Sequence, residues 1–162
     1  MPLIKSISGI RGTIGAEPGC GLTPLDIVKF TAAYATFIKR ANEGRRCVIV
    51  VGRDARLSGD MVCDLVCGTL KAIGCDVVNI GLASTPTTEI AVVAENAQGG
   101  LILTASHNPR QWNALKLLNA KGEFLNDAEG KEVLRIADES EYKFAEVDQL
   151  GHESANTTYN RR

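Results

Sequence analysis

The chain has 162 residues, 18 Lys and Arg against 19 Asp and Glu, and a formal net charge of -1. A chain of this length buries roughly 70% of the surface its unfolded form exposes, so a single domain folds without staples or a structural metal. With 44% hydrophobic and 23% charged residues, the composition excludes the disordered, collagenous and coiled-coil classes, and its balanced charge argues against a nucleic-acid or anionic-membrane partner.

Apolar residues Ile27, Phe30, Tyr34, Phe37 and Ile38 recur at helical spacing and predict a helix over about 23–40, capped by Thr23 with Pro24 in its first turn. Cys47-Val48-Ile49-Val50-Val51 is a continuous apolar run of the kind buried on both faces of a parallel sheet. A helix from Leu57 or Ser58 to Ile73, stopped by Gly74, leads to a second strand at 76–80. Thr85 as cap and Pro86 as opener predict a third helix to about residue 97, followed by a strand at 100–104. These alternations imply a three-layer α/β/α fold. Residues 114–119 return after too short a connection for a parallel crossover, so this fourth strand is expected to be antiparallel. The sheet is thus expected to be mixed, mainly parallel and four-stranded. Asn126 and Glu129 form a capping-box pattern that opens a last helix to about residue 138. The domain is placed at 1–150, and the polar stretch 151–162 reads as a linker or truncated tail without helix or strand.

Five cysteines are an odd set in a core-rich chain and read as reduced thiols; Cys63 and Cys67 read as buried small apolar residues. No apolar run reaches the roughly eighteen residues of a membrane span, and Met1-Pro2-Leu3-Ile4-Lys5 does not open a secretory signal. The cytoplasm is the default compartment.

Ligands of open α/β sheets bind beyond the carboxyl ends of the parallel strands. Of the three loops there, Thr104-Ala105-Ser106-His107-Asn108-Pro109 is the most telling, because Ser106 follows a buried strand and Asn-Pro sets a turn behind it. A serine so placed serves as an acyl nucleophile, a phosphoryl carrier or a turn residue. The acyl reading lacks a G-x-S-x-G elbow, and His107 is too close in sequence to take the serine's proton. The phosphoryl reading needs cations around about -1.5 to -2 of charge. Lys116 on the following strand and Arg11 in a glycine-flanked N-terminal loop are available, although each alone also fits a solvated surface cation.

TASHNP at 104–109, with a lysine ten residues after the serine, resembles the phosphoserine loop of the α-D-phosphohexomutase superfamily, the phosphoglucomutases, phosphomannomutases and phosphoglucosamine mutases. Three further segments resemble that family in order: Ser8-Gly9-Ile10-Arg11-Gly12-Thr13; Gly52-Arg53-Asp54 with Arg56 and Ser58-Gly59; and Gly81 through Thr85-Pro86. The resemblance implies the family's first-domain fold and makes Ser106 the phosphoserine that exchanges its phosphoryl group with a hexose phosphate through a bisphosphorylated sugar. It makes Arg11 and Lys116 catalytic cations, and places His107 and Asn108 against the substrate or its phosphate. Arg53 and Asp54 are expected to organise their loop. One departure is Ala114, where the family often has glycine after asparagine, so a slightly different local turn is expected.

The resemblance covers only a first domain. It implies domains II–IV of a full-length chain as partners, a phosphorylated hexose as substrate and a hexose 1,6-bisphosphate as activator. It also implies Mg²⁺ held by phosphorylated Ser106 and an aspartate-rich loop that this sequence lacks; Glu139 and Glu141 are the nearest approach and read as solvated. The isolated fragment is expected to be inactive. The alternative is a non-catalytic phosphate-binding or regulatory module of the same fold.

Overall fold

The computed structural model describes residues 3–6 and 9–161. Ser8, which opens the N-terminal motif, and Arg162 at the end of the tail lie outside the described residues. One seven-stranded sheet runs in the order β1-β2-β6-β5-β3-β4-β7. Its strands are β1 (Leu3–Ser6), β2 (Gly9–Thr13), β3 (Val48–Arg53), β4 (Asp76–Leu82), β5 (Gly99–Leu103), β6 (Trp112–Leu118) and β7 (Glu153–Ala155). Pairings of β3 with β4 and β5, and of β4 with β7, are parallel, whereas β1–β2, β2–β6 and β5–β6 are antiparallel. The mixed α/β fold and the antiparallel return at β6 agree with the sequence, but the sheet has seven strands where four are expected.

Among the described residues four α-helices cover it: α1 (Pro24–Ala41), α2 (Gly59–Ile73), α3 (Thr85–Ala94) and α4 (Asp127–Asp138). The continuous apolar run of β3 explains the layering. Ile49 and Val51 enter a core with α1, α2 and α4, while Val50 enters a smaller one with Ala91 and Val92 of α3. On β5, Leu101 and Leu103 face the first core and Ile102 the second. No disulfide joins any of the five cysteines; four are buried and Cys20 is exposed.

The missed strands have common physical features. In β2 only Ile10 among the hydrophobics reaches the main core, so the segment carrying Arg11 has no apolar run to announce it; it is a strand and not a loop. The three residues of β7 are exposed and join the edge of β4 through their backbone, which leaves no hydrophobic signature in the tail. At α3 the cap is Ser84, whose hydroxyl accepts from the Thr87 amide at 3.2 Å, one residue before the expected Thr85. Helix α2 starts after Ser58, whose hydroxyl accepts from Asn113 Nδ2 at 2.9 Å instead of capping the helix. No helix among the described residues is long and apolar enough to cross a membrane.

Candidate active site

Three neighbouring strands bring the predicted residues together. Strand β5 ends at Leu103 and delivers Ser106, His107 and Asn108 in the loop beyond it; β6 carries Lys116 and β2 carries Arg11. In the β2–β6 ladder Gly9 is opposite Lys116 and Arg11 is opposite Ala114, so both cations project from the same face. That face is the α3 side, because Lys116 is also opposite Ile102, which packs in the α3 core. The absence of a side chain at Gly9 is required: a Cβ there would collide with the Leu115 carbonyl oxygen. Ala114 lies within β6 and is buried, so no variant turn follows from its Cβ, contrary to the sequence expectation.

A cavity of about 220 Å³ is lined by Arg11, Ala105, Ser106, His107, Asn108 and Lys116, all five predicted site residues with one neighbour. Lys116 Nζ donates to Ser106 Oγ at 3.2 Å. Arg11 Nη1 donates to Asn108 Oδ1 at 3.4 Å, and its guanidinium lies 6.0 Å from the centre of the Trp112 ring. A second hollow of about 160 Å³ adjoins across Arg11 and Lys116, lined also by Ser6, Gly9 and Ala114. A larger one of about 460 Å³ lies at the other end of the sheet. There the amides of Asn42, Gln98 and Asn119 are committed to backbone groups, which suits a structural joint more than a ligand site.

Ser106 has φ of 50°, in the left-handed region that an L residue adopts at a penalty of about 1–2 kcal/mol. The loop is held against that penalty by residues outside the predicted set. The Ser106 amide donates to Thr104 Oγ1 at 3.1 Å, and Thr104 Oγ1 donates to Asp54 Oδ2 at 2.6 Å. Arg56 Nε donates to the same carboxylate oxygen at 3.2 Å, while its Nη2 donates to the Ser106 carbonyl at 2.7 Å. Its Nη1 reaches the carbonyls of Pro109 at 2.8 Å and Trp112 at 3.3 Å. Asp54 therefore organises its loop as expected, and Arg53 does so through Asp60 at 2.7 Å. The spacing Asp54-x-Arg56 is the only trace of the Arg56 clamp in the sequence, because the clamp's acceptors are main-chain oxygens some fifty residues away.

Among the described residues no three His, Cys, Asp or Glu side chains converge as metal ligands. Asp54, the carboxylate joined to the serine loop through Thr104, is held by Arg56 and Thr104. Octahedral Mg²⁺ needs more oxygen donors than Ser106 offers alone, so the donor set present here does not fit the ion. Glu139 and Glu141 are paired with Arg135 and not simply solvated.

Residues 3–144 match the family model described as phosphoglucomutase/phosphomannomutase, alpha/beta/alpha domain I. A phosphoglucomutase/phosphomannomutase of Thermococcus kodakarensis is 44% identical over 115 residues, covering 70% of this chain and 24% of the relative. A phosphoglucosamine mutase of Saccharopolyspora erythraea is 37% identical over 139 residues, covering 86% and 30%. The crystal structure of a Thermus thermophilus protein assigned as a phosphomannomutase superposes with a TM-score of 0.77 at 29% identity, covering 96% of this chain and 33% of that one. The chain thus spans about a quarter to a third of the length of such relatives. The match through the sheet, the serine loop and both cation-bearing strands is decisive: the chain belongs to the phosphoglucomutase/phosphomannomutase family and comprises its α/β/α domain I.

Proposed function

We propose that this chain is the phosphoryl-carrying domain of a cytoplasmic phosphohexomutase, with Ser106 as the carrier and a hexose phosphate as substrate. The observation that carries the reading is the Lys116 ammonium 3.2 Å from Ser106 Oγ, in a cavity that Arg11 also lines. A phosphoserine bears about -1.5 to -2 charge, and one cation about 4 Å away is worth roughly 4 kcal/mol at an effective dielectric of 20. In the forward transfer the Ser106 Oγ–P bond breaks as a sugar hydroxyl bonds to phosphorus; the hydroxyl releases its proton to water, and the departing seryl oxygen takes one from the Lys116 ammonium, which regains it from water. The bisphosphorylated sugar then returns its other phosphate to Ser106, so phosphate moves between the 1- and 6-positions with no net consumption. Lys116 holds the bridging oxygen as it takes up negative charge, and Arg11 counters the charge of the transferring group. Asn108 fixes Arg11, and His107 borders the place where the sugar phosphate enters.

The body of this domain, placed at residues 1–150 from the sequence, is extended by β7 at the edge of β4 and by Tyr159 against the smaller core, and domains II–IV of a longer chain are its partners. Residues 1–162 alone are then inactive as a mutase, with a hexose 1,6-bisphosphate as the activator that loads Ser106 in the full-length gene product. The test is the intact mass of that product, with peptide mapping, before and after incubation with a hexose 1,6-bisphosphate. An added mass of about 80 Da on Ser106, absent in Ser106→Ala, is expected. A serine left unmodified by glucose, mannose and glucosamine bisphosphates alike would overturn the mutase reading and leave a phosphate-binding module.

A further inference from the structure

Four hydrogen bonds close a ring around the Ser106 Cα. The amide on one side of that carbon donates to Thr104, Thr104 donates to Asp54, Asp54 accepts from Arg56, and Arg56 returns to the carbonyl on the other side. Holding both flanking peptide planes fixes φ and ψ of Ser106 and therefore the direction of its Cα–Cβ bond. The seryl oxygen itself is not in the ring. Among the described residues its side-chain contact is Lys116, and the Arg56 guanidinium reaches the Asp54 carboxylate and the carbonyls of Ser106, Pro109 and Trp112.

From this geometry we infer that Arg56 is a positioning residue for phosphoryl transfer, acting through the Ser106 carbonyl to aim the seryl oxygen at Lys116. This rests on the phosphoserine reading above. The shape of the guanidinium matters more than its charge. Asp54 neutralises it locally, its side chain is only 12% exposed, and its donors point in three directions that a lysine ammonium on a flexible stem does not reproduce. The left-handed backbone of Ser106 gives the ring something to oppose, since an L residue freed from it relaxes toward negative φ. Relaxation would swing Oγ away from Lys116 while leaving the sheet beneath untouched.

The experiment uses the full-length gene product and follows Ser106 phosphorylation by a hexose 1,6-bisphosphate in Arg56→Lys, Arg56→Ala, Thr104→Val and the Arg56→Lys/Thr104→Val pair. A misplacement of about 1 Å lowers the rate about 100-fold, and a purely positional effect leaves the half-saturating bisphosphate concentration within about twofold. Both Arg56 variants and Thr104→Val are expected to show that split, the double variant being no slower than the slower single one, because both residues act on one backbone conformation. Added guanidinium ion at millimolar concentration is expected to restore part of the Arg56→Ala rate. A crystal structure of Arg56→Lys is expected to show Ser106 out of the left-handed region. A wild-type rate in Arg56→Lys, multiplicative losses in the double variant, or an unchanged Ser106 φ in that crystal would each overturn the inference. Should wild-type Ser106 never accept phosphate, the phosphoserine reading fails, and the crystal structure still decides whether Arg56 sets the conformation of Ser106.

Discussion

The two ends of β5 are each held by one side chain that reaches main-chain groups, yet the two clamps are chemically opposite. At the amino end the Tyr34 hydroxyl from α1, fully buried, is shared between the carbonyls of Leu118 at 2.5 Å and Gly100 at 3.1 Å, and accepts from the Gly100 amide at 2.9 Å. Burial pushes its ionisation far above the usual phenol range, so this clamp stays neutral. At the carboxyl end Arg56, paired with Asp54, grips a loop whose serine is exposed. A neutral hydroxyl suits a dry joint, where a charge would be costly to bury. A charged fork suits a rim that must hold a left-handed serine beside solvent. Damage at the carboxyl end should therefore appear as lost rate, and damage at the amino end as lost stability.

The largest effect should come from Lys116→Met, which keeps the stem of the side chain against the sheet and removes the ammonium beside Ser106 Oγ. The phosphorylation rate is expected to fall about 100- to 1000-fold, equivalent to roughly 2.7–4 kcal/mol of lost electrostatic stabilisation. The melting temperature should stay at the wild-type value. Time-resolved mass measurement and calorimetry on the same preparation check both halves, and a large drop in melting temperature with an unchanged rate would break the comparison at its carboxyl end.

Next in size is Gly99→Ala. A methyl there meets the Tyr34 hydroxyl and stands 3.2 Å from both Ile38 Cδ1 and the Leu118 carbonyl oxygen. Overpacking of this kind costs about 1–3 kcal/mol, and the upper part of that range applies because the Tyr34 hydroxyl is displaced as well. Tyr34→Phe should be milder, about 1–2 kcal/mol, since it removes hydrogen bonds without adding volume. Urea unfolding is expected to show lower midpoints at unchanged slope for both, with Ser106 phosphorylated at the wild-type rate under conditions where the protein is folded.

This division is partly visible in the amino-acid sequence. The run Cys47 to Val51 and the apolar stripes of α1 and α2 are legible because burial on two faces, or on one helical face, imposes a periodicity. Ser106, Lys116 and Arg11 are legible from loop position and family motifs, and the fold does bring them to one cavity. What stays hidden works through the backbone. Strand β7 pairs with exposed side chains, Tyr34 reads only as another member of an apolar stripe, and Arg56 acts on carbonyls that any residues could supply. A side chain that recognises main-chain atoms leaves no partner residue type to look for, so both clamps of β5 emerge only in the folded backbone.

The smallest effect isolates the charged kind of clamp from catalysis. Arg135 of α4 grips Glu141 through Nη1 to Oε2 at 2.8 Å and Nη2 to Oε1 at 3.0 Å, and Arg40 of α1 adds a contact at 3.3 Å. These contacts tie the segment after α4 to both helices. The Arg135 guanidinium holds the Glu141 carboxyl down at about 2, from an ordinary value of 4.5. Because the folded value lies below the unfolded one, the contribution is fully present above pH 4.5 and is lost as pH falls toward 2. Glu141→Gln should therefore lower the melting temperature slightly near neutral pH, and the gap to wild type should close across that acid window. With the Glu141 side chain 34% exposed, added salt should narrow the gap as well. The Tyr34→Phe gap, arising from a neutral and buried hydroxyl, should pass through the same pH and salt series unchanged. A Glu141→Gln gap that persisted at pH 2, or a Tyr34→Phe gap that shrank with salt, would mean that the chemistry of the clamp does not decide its sensitivity to solvent.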